Sequence, residues 1–431
     1  MRLAIITQSR ARVGGVEAYL ESVIPALARQ HEVVFWSASG EVTGRGAVSL
    51  PPGVVALAAD GASGDPVHRL RAWRPDLLFA HGLDDAALES EVLRLAPAVI
   101  VEHTYHGTCI SSSKTMSWPG VQPCQRPLGA ACLAVYLPRR CGGLNPVTMV
   151  KAYRTQWRRL AELRKAAAVV TFSAHMAAEA LRNGVRQDRI HVVPPFVAAN
   201  QPSPDVGGWE LEVGSSPLEV GSSPLEVGSW KLGVRSSPCR LLFLGRLEPL
   251  KGVSRLLTAL RPFADRLAVP VRLVIAGEGS ERPKLEAQAA RIRAESASIE
   301  IIFAGWQDEP GRARLFADTD LLVVPSLWPE PFGLVGLEAA AAGVPAAAFA
   351  TGGIPEWLRD GENGCLARAA GAKADDLADA MARCVATPGT RARLSEGARR
   401  LAREWTLDRH VTAIERVFAS ALHALPAGIA S

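Results

Sequence analysis

Short apolar runs recur along the first half of the chain, each bounded by polar or turn residues: "RLAII" (2–6), "EVVFWS" (32–37), "DLLFAH" (76–81), "AVIVEH" (98–103), "AAVVTF" (167–172) and "RIHVV" (189–193). Amphipathic stretches such as "VEAYLESVIPALARQ" (16–30) and "MAAEALRNG" (176–184) separate them. Runs of strand length alternating with amphipathic helices predict a parallel sheet covered on both faces. The alternation returns in the second half with "CRLLFLG", "VRLVIAG", "IEIIFAG", "LLVVP" and "PAAAF", separated by helices near 253–266, 281–293 and 311–317. Three further helical stretches close the chain near residue 422. The expected fold class is α/β, with two Rossmann-like doubly wound domains facing across a cleft where strand C-termini gather ligands. The expected domains are residues 1–198 and 239–405, followed by a helix within 406–431 that returns to the first domain.

Between the two alternating sets lies "LEVGSSPLEVGSSPLEVGSWKLGVRSSP" (211–238), an imperfect seven-residue repeat. Pro in three of its four units excludes a coiled coil. Its Gly/Ser/Pro composition reads as a surface linker over 199–238 that tolerates expansion.

Composition narrows the classes. The 431 residues are 48% hydrophobic and 21% charged, as in a globular protein of two domains. The net charge of +5 is spread along the chain, so no nucleic-acid partner is expected. Seven of the 48 basic residues are Lys, an Arg excess read as genome bias. The opening "MRLAIITQSRARVGG" is too short in its apolar run for a signal peptide, and Gly343 and Pro345 break the most apolar window, so a cytoplasmic protein is expected. Four of the seven cysteines, Cys109, Cys124, Cys132 and Cys141, share one loop-like region without C-x2-C spacing. They read as reduced structural thiols, with no metal expected.

The candidate chemistry sits in the second half. "LLVVPS" leads through "LWPEP" into "FGLVGLEAAAAG", so "PFGL" is placed at a helix N-terminus, where free N–H groups attract a phosphate or polyol. Gly333 would let a ligand approach the backbone. Glu330 and Glu338 stand eight residues apart, about 12 Å if wholly helical, near the length of a nucleoside diphosphate. Two carboxylates so spaced suit the hydroxyls at both ends of a nucleotide sugar; a capping Glu and a surface Glu are the plainer reading. "GRLEPLKG" (245–252) follows a strand and puts Arg246 and Lys251 at its C-terminal edge, where two cations can stabilise a departing diphosphate, unless the loop is simply solvated. "GEGSER" lacks the third glycine of a dinucleotide fingerprint, so Gly277 and Gly279 read as a backbone approach to a nucleotide rather than an NAD site. "DTD" (318–320) looks like a metal-binding D-x-D, but a helix-to-strand turn explains it.

These segments in this order, "GRLEPLKG", "VIAGEGSERPKLE", "FAGW", "ADTDLLVVPS", "EPFGLVGLEAAAAGVP" and "GGIPE", resemble the GT-B glycosyltransferases of the retaining family 4 (group 1) type. The resemblance covers nearly the whole chain apart from the repeat. It implies that Arg246 and Lys251 bind the donor diphosphate and that Glu330 contacts donor sugar hydroxyls. The amides of Phe332, Gly333, Leu334 and Val335 would lie near sugar and phosphate, and Glu338 would hold the ribose. "VGGVEAYL" is similar to the family's first glycine loop, so Gly14, Gly15 and Glu17 join the site; an ordinary tight turn is the alternative. His103 matches the family's active-site histidine, with His106 and His81 as rivals. "VVPPFV" departs from the family's Asn-Gly-Val-Asp at that place. No cofactor or obligatory metal is implied, and the donor's own phosphate oxygen is the expected base.

The expected partners are a nucleoside-diphosphate sugar and a glycan, lipid-linked or small-molecule acceptor. Residues 139–165 are rich in Arg and Lys with Tyr153 and Trp157 among them, which reads either as a solvated helix face or as a surface resting on anionic membrane lipids. Two rivals to transfer are a nucleotide-sugar epimerase of the same fold and a non-catalytic partner subunit.

Overall fold

The computed structural model describes residues 1–12, 14–40, 46–59, 65–197 and 238–423; the seven-residue repeat lies outside the described residues apart from Pro238. In the amino-terminal half, β1 (Arg2–Ser9), β2 (Glu32–Ser39), β3 (Val55–Ala58), β4 (Leu77–Ala80) and β5 (Ala98–Glu102) are followed by a small hairpin, β6 (Thr115–Met116) and β7 (Gln122–Pro123), and then by β8 (Ala168–Thr171) and β9 (Ile190–Val192). Seven of these pair in the order β3-β2-β1-β4-β5-β8-β9, and every pair is parallel. Both faces are buried, which is why the strands read as continuous apolar runs rather than alternating ones. Leu3 and Ile5 pack with Leu20, Val23 and Leu27 of the helix Gly15–Leu27, whereas Ala4 and Ile6 pack with Ile100 and Leu163 on the opposite face.

The second sheet is built from β10 (Cys239–Leu244), β11 (Val271–Ala276), β12 (Ile299–Gly305), β13 (Leu321–Val324), β14 (Ala346–Phe349) and β15 (Gly364–Ala367), in the order β12-β11-β10-β13-β14-β15 and again all parallel. Both sheets therefore reverse direction beside their first strand, at β1/β4 and β10/β13, the switch points where ligands bind in doubly wound folds.

The helix Leu407–His423 lies against the amino-terminal domain. His410 Nε2 is 2.9 Å from the Tyr19 hydroxyl, His31 Nε2 is 2.8 Å from Glu415, and Phe418 meets Phe79 edge to face at 5.1 Å. The amide of Val197, just before the linker, donates to Trp405 O (2.9 Å), so the two crossings between the domains run side by side.

Beyond the small hairpin β6/β7, three elements depart from the sequence expectation. Strands β3 and β15 were not anticipated, because "VALA" and "GCLA" are four residues each and carry little β-branched signal. The helix expected from Phe332 begins only at Val335 and ends at Ala341. Gly333 has φ +97°, outside the helical region, and the Phe332 carbonyl accepts from Trp357 Nε1 (2.8 Å). "PFG" is thus a loop in front of the helix, and the straight helical spacing between Glu330 and Glu338 does not apply.

All seven cysteines are free thiols, and among the described residues no group of three or more His, Cys, Asp or Glu is disposed around a metal-sized space. Asp318 and Asp320 of "DTD" are engaged by arginines instead: Arg240 reaches Asp318 at 2.6 Å and Asp320 at 3.0 Å, and Arg391 also pairs with Asp320.

Candidate active site

The second switch point assembles one half of the site. The loop after β10 carries Arg246 and Lys251, and the loop after β11 lies directly on it: Leu247 N donates to Glu278 O (2.8 Å) and Glu281 N to Leu247 O (2.9 Å). A Cβ on Gly277 would sit 1.9 Å from Gly245 O, and one on Gly279 would sit 2.3 Å from Leu247 O. Gly277 and Gly279 thus answer a packing demand between two loops, one of which is the loop that carries Arg246 and Lys251.

Lys251 closes a short 3-10 turn, Pro249–Lys251, and its Nζ donates to Glu330 Oε1 (2.7 Å). Ser326 Oγ donates to the same oxygen (2.5 Å), and the Lys251 ammonium lies 5.1 Å from the centre of the Trp328 ring. Glu330 is only 5% exposed. A carboxylate so buried is tolerable because a cation and a hydroxyl satisfy it. Arg246 is exposed and makes no hydrogen bond or ion pair among the described residues; the charge of Glu248 lies near it. A guanidinium left open at a strand's C-terminal edge suits an incoming anion.

Glu338 stands in the first turn of the helix Val335–Ala341. Its Oε2 lies 3.1 Å from Arg312 Nε, close enough for an ion pair but not aligned as a hydrogen bond. Burial pushes its carboxyl above the ordinary range, with Arg312 opposing. The amides of Gly333, Leu334 and Val335 lie ahead of the first bonds of that helix, Gly336 N to Gly333 O and Leu337 N to Leu334 O. Phe332 is buried, and its side chain belongs to the core.

The first switch point supplies the facing wall. A cavity of about 190 Å3 is lined there by Thr7, Glu17, His81, His103, His106 and Arg159 among others. His103 Nε2 and His81 Nδ1 are 2.8 Å apart, so the two rival histidines form one hydrogen-bonded pair. Burial drives both imidazoles towards the neutral form: His103 is pushed down to about 3 and His81 falls well below its usual value. His106 is pushed down to about 4, by burial first and by Arg159 second. The Gly14 amide that was offered to a phosphate is taken by Glu17 Oε2 (2.7 Å) in a capping box. Gly15 faces the other wall, where an added Cβ would lie 3.4 Å from Leu334 Cδ1. Glu102, buried beside His103, has no hydrogen-bond partner on either carboxyl oxygen among the described residues, and burial raises it to about 8, which favours its protonated form.

Sequence reading missed Ser326, Trp328 and Arg312. Each acts on a candidate residue across a loop or between helices, where no periodicity marks the pairing.

Residues 13–201 match the model of Glycosyltransferase Family 4, and residues 228–401 match that of Glycosyl transferases group 1. HepE of Anabaena, solved in complex with UDP, superposes with a TM-score of 0.65 at 17% identity over 97% of this chain and 100% of its own. Sucrose-phosphate synthase from Thermosynechococcus elongatus does so with a TM-score of 0.64 at 16% identity, over 98% and 100%. The chain belongs to the GT-B glycosyltransferases. Among curated relatives, this GT-B chain is 35% identical to a D-inositol 3-phosphate glycosyltransferase of Kribbella flavida over 39% of its own length and 40% of the relative's. It is 32% identical to one of Xylanimonas cellulosilytica over 57% and 54%. It thus spans about half or less of the length of these curated relatives. In this GT-B glycosyltransferase the Lys251–Glu330 pair and the His81–His103 pair mark the two switch points.

Proposed function

We propose that this protein transfers a sugar from a nucleoside-diphosphate sugar to an acceptor hydroxyl, with retention of anomeric configuration. The observation that carries the reading is the Lys251–Glu330 pair at the β10/β13 switch point with Arg246 open beside it. A diphosphate lying there would draw Lys251 and Arg246 to its oxygens, and these charges would stabilise it as it leaves. Glu330, relieved of part of its pairing, would accept from sugar hydroxyls. Glu338 would hold the ribose hydroxyls, with the amides of Gly333, Leu334 and Val335 between. On the facing wall, His103 and His106 would position the acceptor, and the departing phosphate oxygen would take its proton on the same face. The UDP and UDP-glucose present in HepE structures, and the names of the curated relatives, support this reading.

The experiment is a thermal-shift screen with UDP, GDP, ADP and their glucose esters, followed by nucleoside-diphosphate release with and without added acceptor. One nucleotide series is expected to stabilise, since a ligand held at a hundred times its dissociation constant adds about 2.7 kcal/mol. Slow release from its glucose ester is expected without acceptor. Failure of all three series to bind would end the reading. Fast acceptor-independent release with an altered sugar would replace it with an epimerase.

The acceptor side adds a surface. The helix Pro146–Lys165 exposes Val147 (75%), Val150 and Trp157 alongside Lys151, Arg154 and Arg158, with Leu144 and Trp118 exposed nearby. Arg159, counted in the same basic run, is instead turned inward onto Glu89 (3.0 Å). Apolar side chains rimmed by cations fit peripheral contact with an anionic membrane and a lipid-linked acceptor. Among the described residues no helix is long and apolar enough to cross a membrane. Sedimentation with phosphatidylglycerol-containing liposomes is expected at low salt and to fade as salt rises; no binding at low salt removes the membrane contact.

A further inference from the structure

Glu330 sits in "WPEPF", where prolines stand on both sides of it. Proline has no N–H, so residues 329–331 own a single backbone donor between them. Carbonyls are then the main handles by which anything can hold this loop. Four consecutive carbonyls are in fact each held by one outside donor. Tyr105 Oη donates to Pro329 O (2.6 Å), Gly353 N to Glu330 O (2.7 Å), Ser173 Oγ to Pro331 O (2.5 Å) and Trp357 Nε1 to Phe332 O (2.8 Å). Gly353 and Trp357 belong to the same domain as the loop. Tyr105 and Ser173 belong to the other one.

Both hydroxyl donors are built in. Tyr105 and Ser173 are each 0% exposed. Because the Tyr105 proton goes to a carbonyl that can only accept, the contact of its oxygen with His175 Nε2 (2.9 Å) requires His175 to donate. The Tyr105 ring meets Trp328 edge to face at 6.1 Å, and Trp328 in turn lies under the Lys251 ammonium. A third tie runs the other way: the Glu356 carboxylate accepts from the amides of Ala174 (2.9 Å) and His175 (3.1 Å), at the N-terminus of the helix Ala174–Arg182. Tyr105 itself lies between His103 and His106 in the chain, on the loop that faces the acceptor cavity.

We propose that Tyr105 and Ser173 are positioning residues, which set the donor-sugar loop 329–332 from the opposite domain, so that Glu330 reaches working geometry only when the two cleft walls are joined. This rests on the donor reading given above. Its consequence is that the histidine loop and the donor loop form one unit: a displacement of residues 103–106 is carried through the Tyr105 hydroxyl to the residue beside Glu330. Nucleotide binding at Arg246, Lys251 and Glu338 would not need that link, whereas placement of the sugar against Glu330 would.

The test is Tyr105→Phe, which keeps the ring against Trp328 and removes only the hydroxyl, with Ser173→Ala and the double variant beside it. Probes are UDP, GDP, ADP and their glucose esters, with melting temperature as the check on folding. For Tyr105→Phe, affinity for the free diphosphate should stay within about twofold of the parent. The turnover number for diphosphate release from the glucose ester should fall roughly tenfold, the size expected when a buried carbonyl loses its donor. Because both hydroxyls hold one loop, the double variant should lose less than the product of the two single losses. Unchanged turnover in Tyr105→Phe, a parallel loss of diphosphate affinity, or strictly multiplicative losses would each overturn the proposal. A parent protein that binds none of the probes would instead defeat the donor reading.

Discussion

Lys251→Ala is expected to lower diphosphate release from the best glucose ester by two to three orders of magnitude, the usual loss when one preorganised donor to a developing anion is removed. Two effects combine. The departing diphosphate loses a cation, and Glu330 loses the partner that makes its burial tolerable, keeping only the Ser326 hydroxyl. Breaking a fully buried pair from one side costs about 3–5 kcal/mol of stability. Lys251 retains 21% side-chain exposure, so water offsets part of that cost here. Two companions separate the effects. Lys251→Arg keeps the charge and should retain more activity than the alanine variant. Lys251→Ala with Glu330→Gln removes both charges, so the melting temperature should recover while turnover stays low. Initial rates and melts on the four proteins decide it. An alanine variant within about threefold of the parent, with donor affinity intact, would remove Lys251 from the mechanism.

The second large effect is at His103. His103→Ala should cut turnover at least roughly tenfold while the protein stays folded. Its removal also leaves His81 Nδ1 without a partner among the described residues, next to an Nε2 that already has none there. His103→Gln, which restores a hydrogen-bonding group, should fold at least as well as the alanine variant. The pH dependence is specific. A histidine pushed down to about 3 by burial takes up a proton only below that value, so between pH 5 and 8 it stays neutral. The turnover number should therefore show no limb near 6.5 that depends on His103. A limb near 6.5 in the parent that disappears in His103→Ala would show the imidazole titrating in the working range and would overturn the buried, neutral assignment. Near-normal turnover in His103→Ala would move the role to His106.

Much of the architecture was legible in order along the chain. The apolar runs at 2–6, 98–103, 239–245 and 321–325 became central parallel strands, and the loops that follow them carry the candidate residues. A sheet covered on both faces needs apolar side chains at successive positions, and that demand is written locally. The edge strands β3 and β15 were not legible, because four residues with small side chains do not stand out from a loop. What only the tertiary structure decided is which groups face one another. Lys251 and Glu330 are 79 residues apart in sequence, Ser173 and Pro331 are 158 apart, and Tyr105 and Pro329 are 224 apart. Likewise Arg159 could be read as one more surface cation until the fold turned it onto Glu89, and no local pattern announced the loop that packs on Gly277 and Gly279. Periodicity and turn chemistry act over a few residues, so they state what each segment can become. Hydrogen bonds and ion pairs across a cleft depend on how two sheets are placed in space, and no local pattern records that placement.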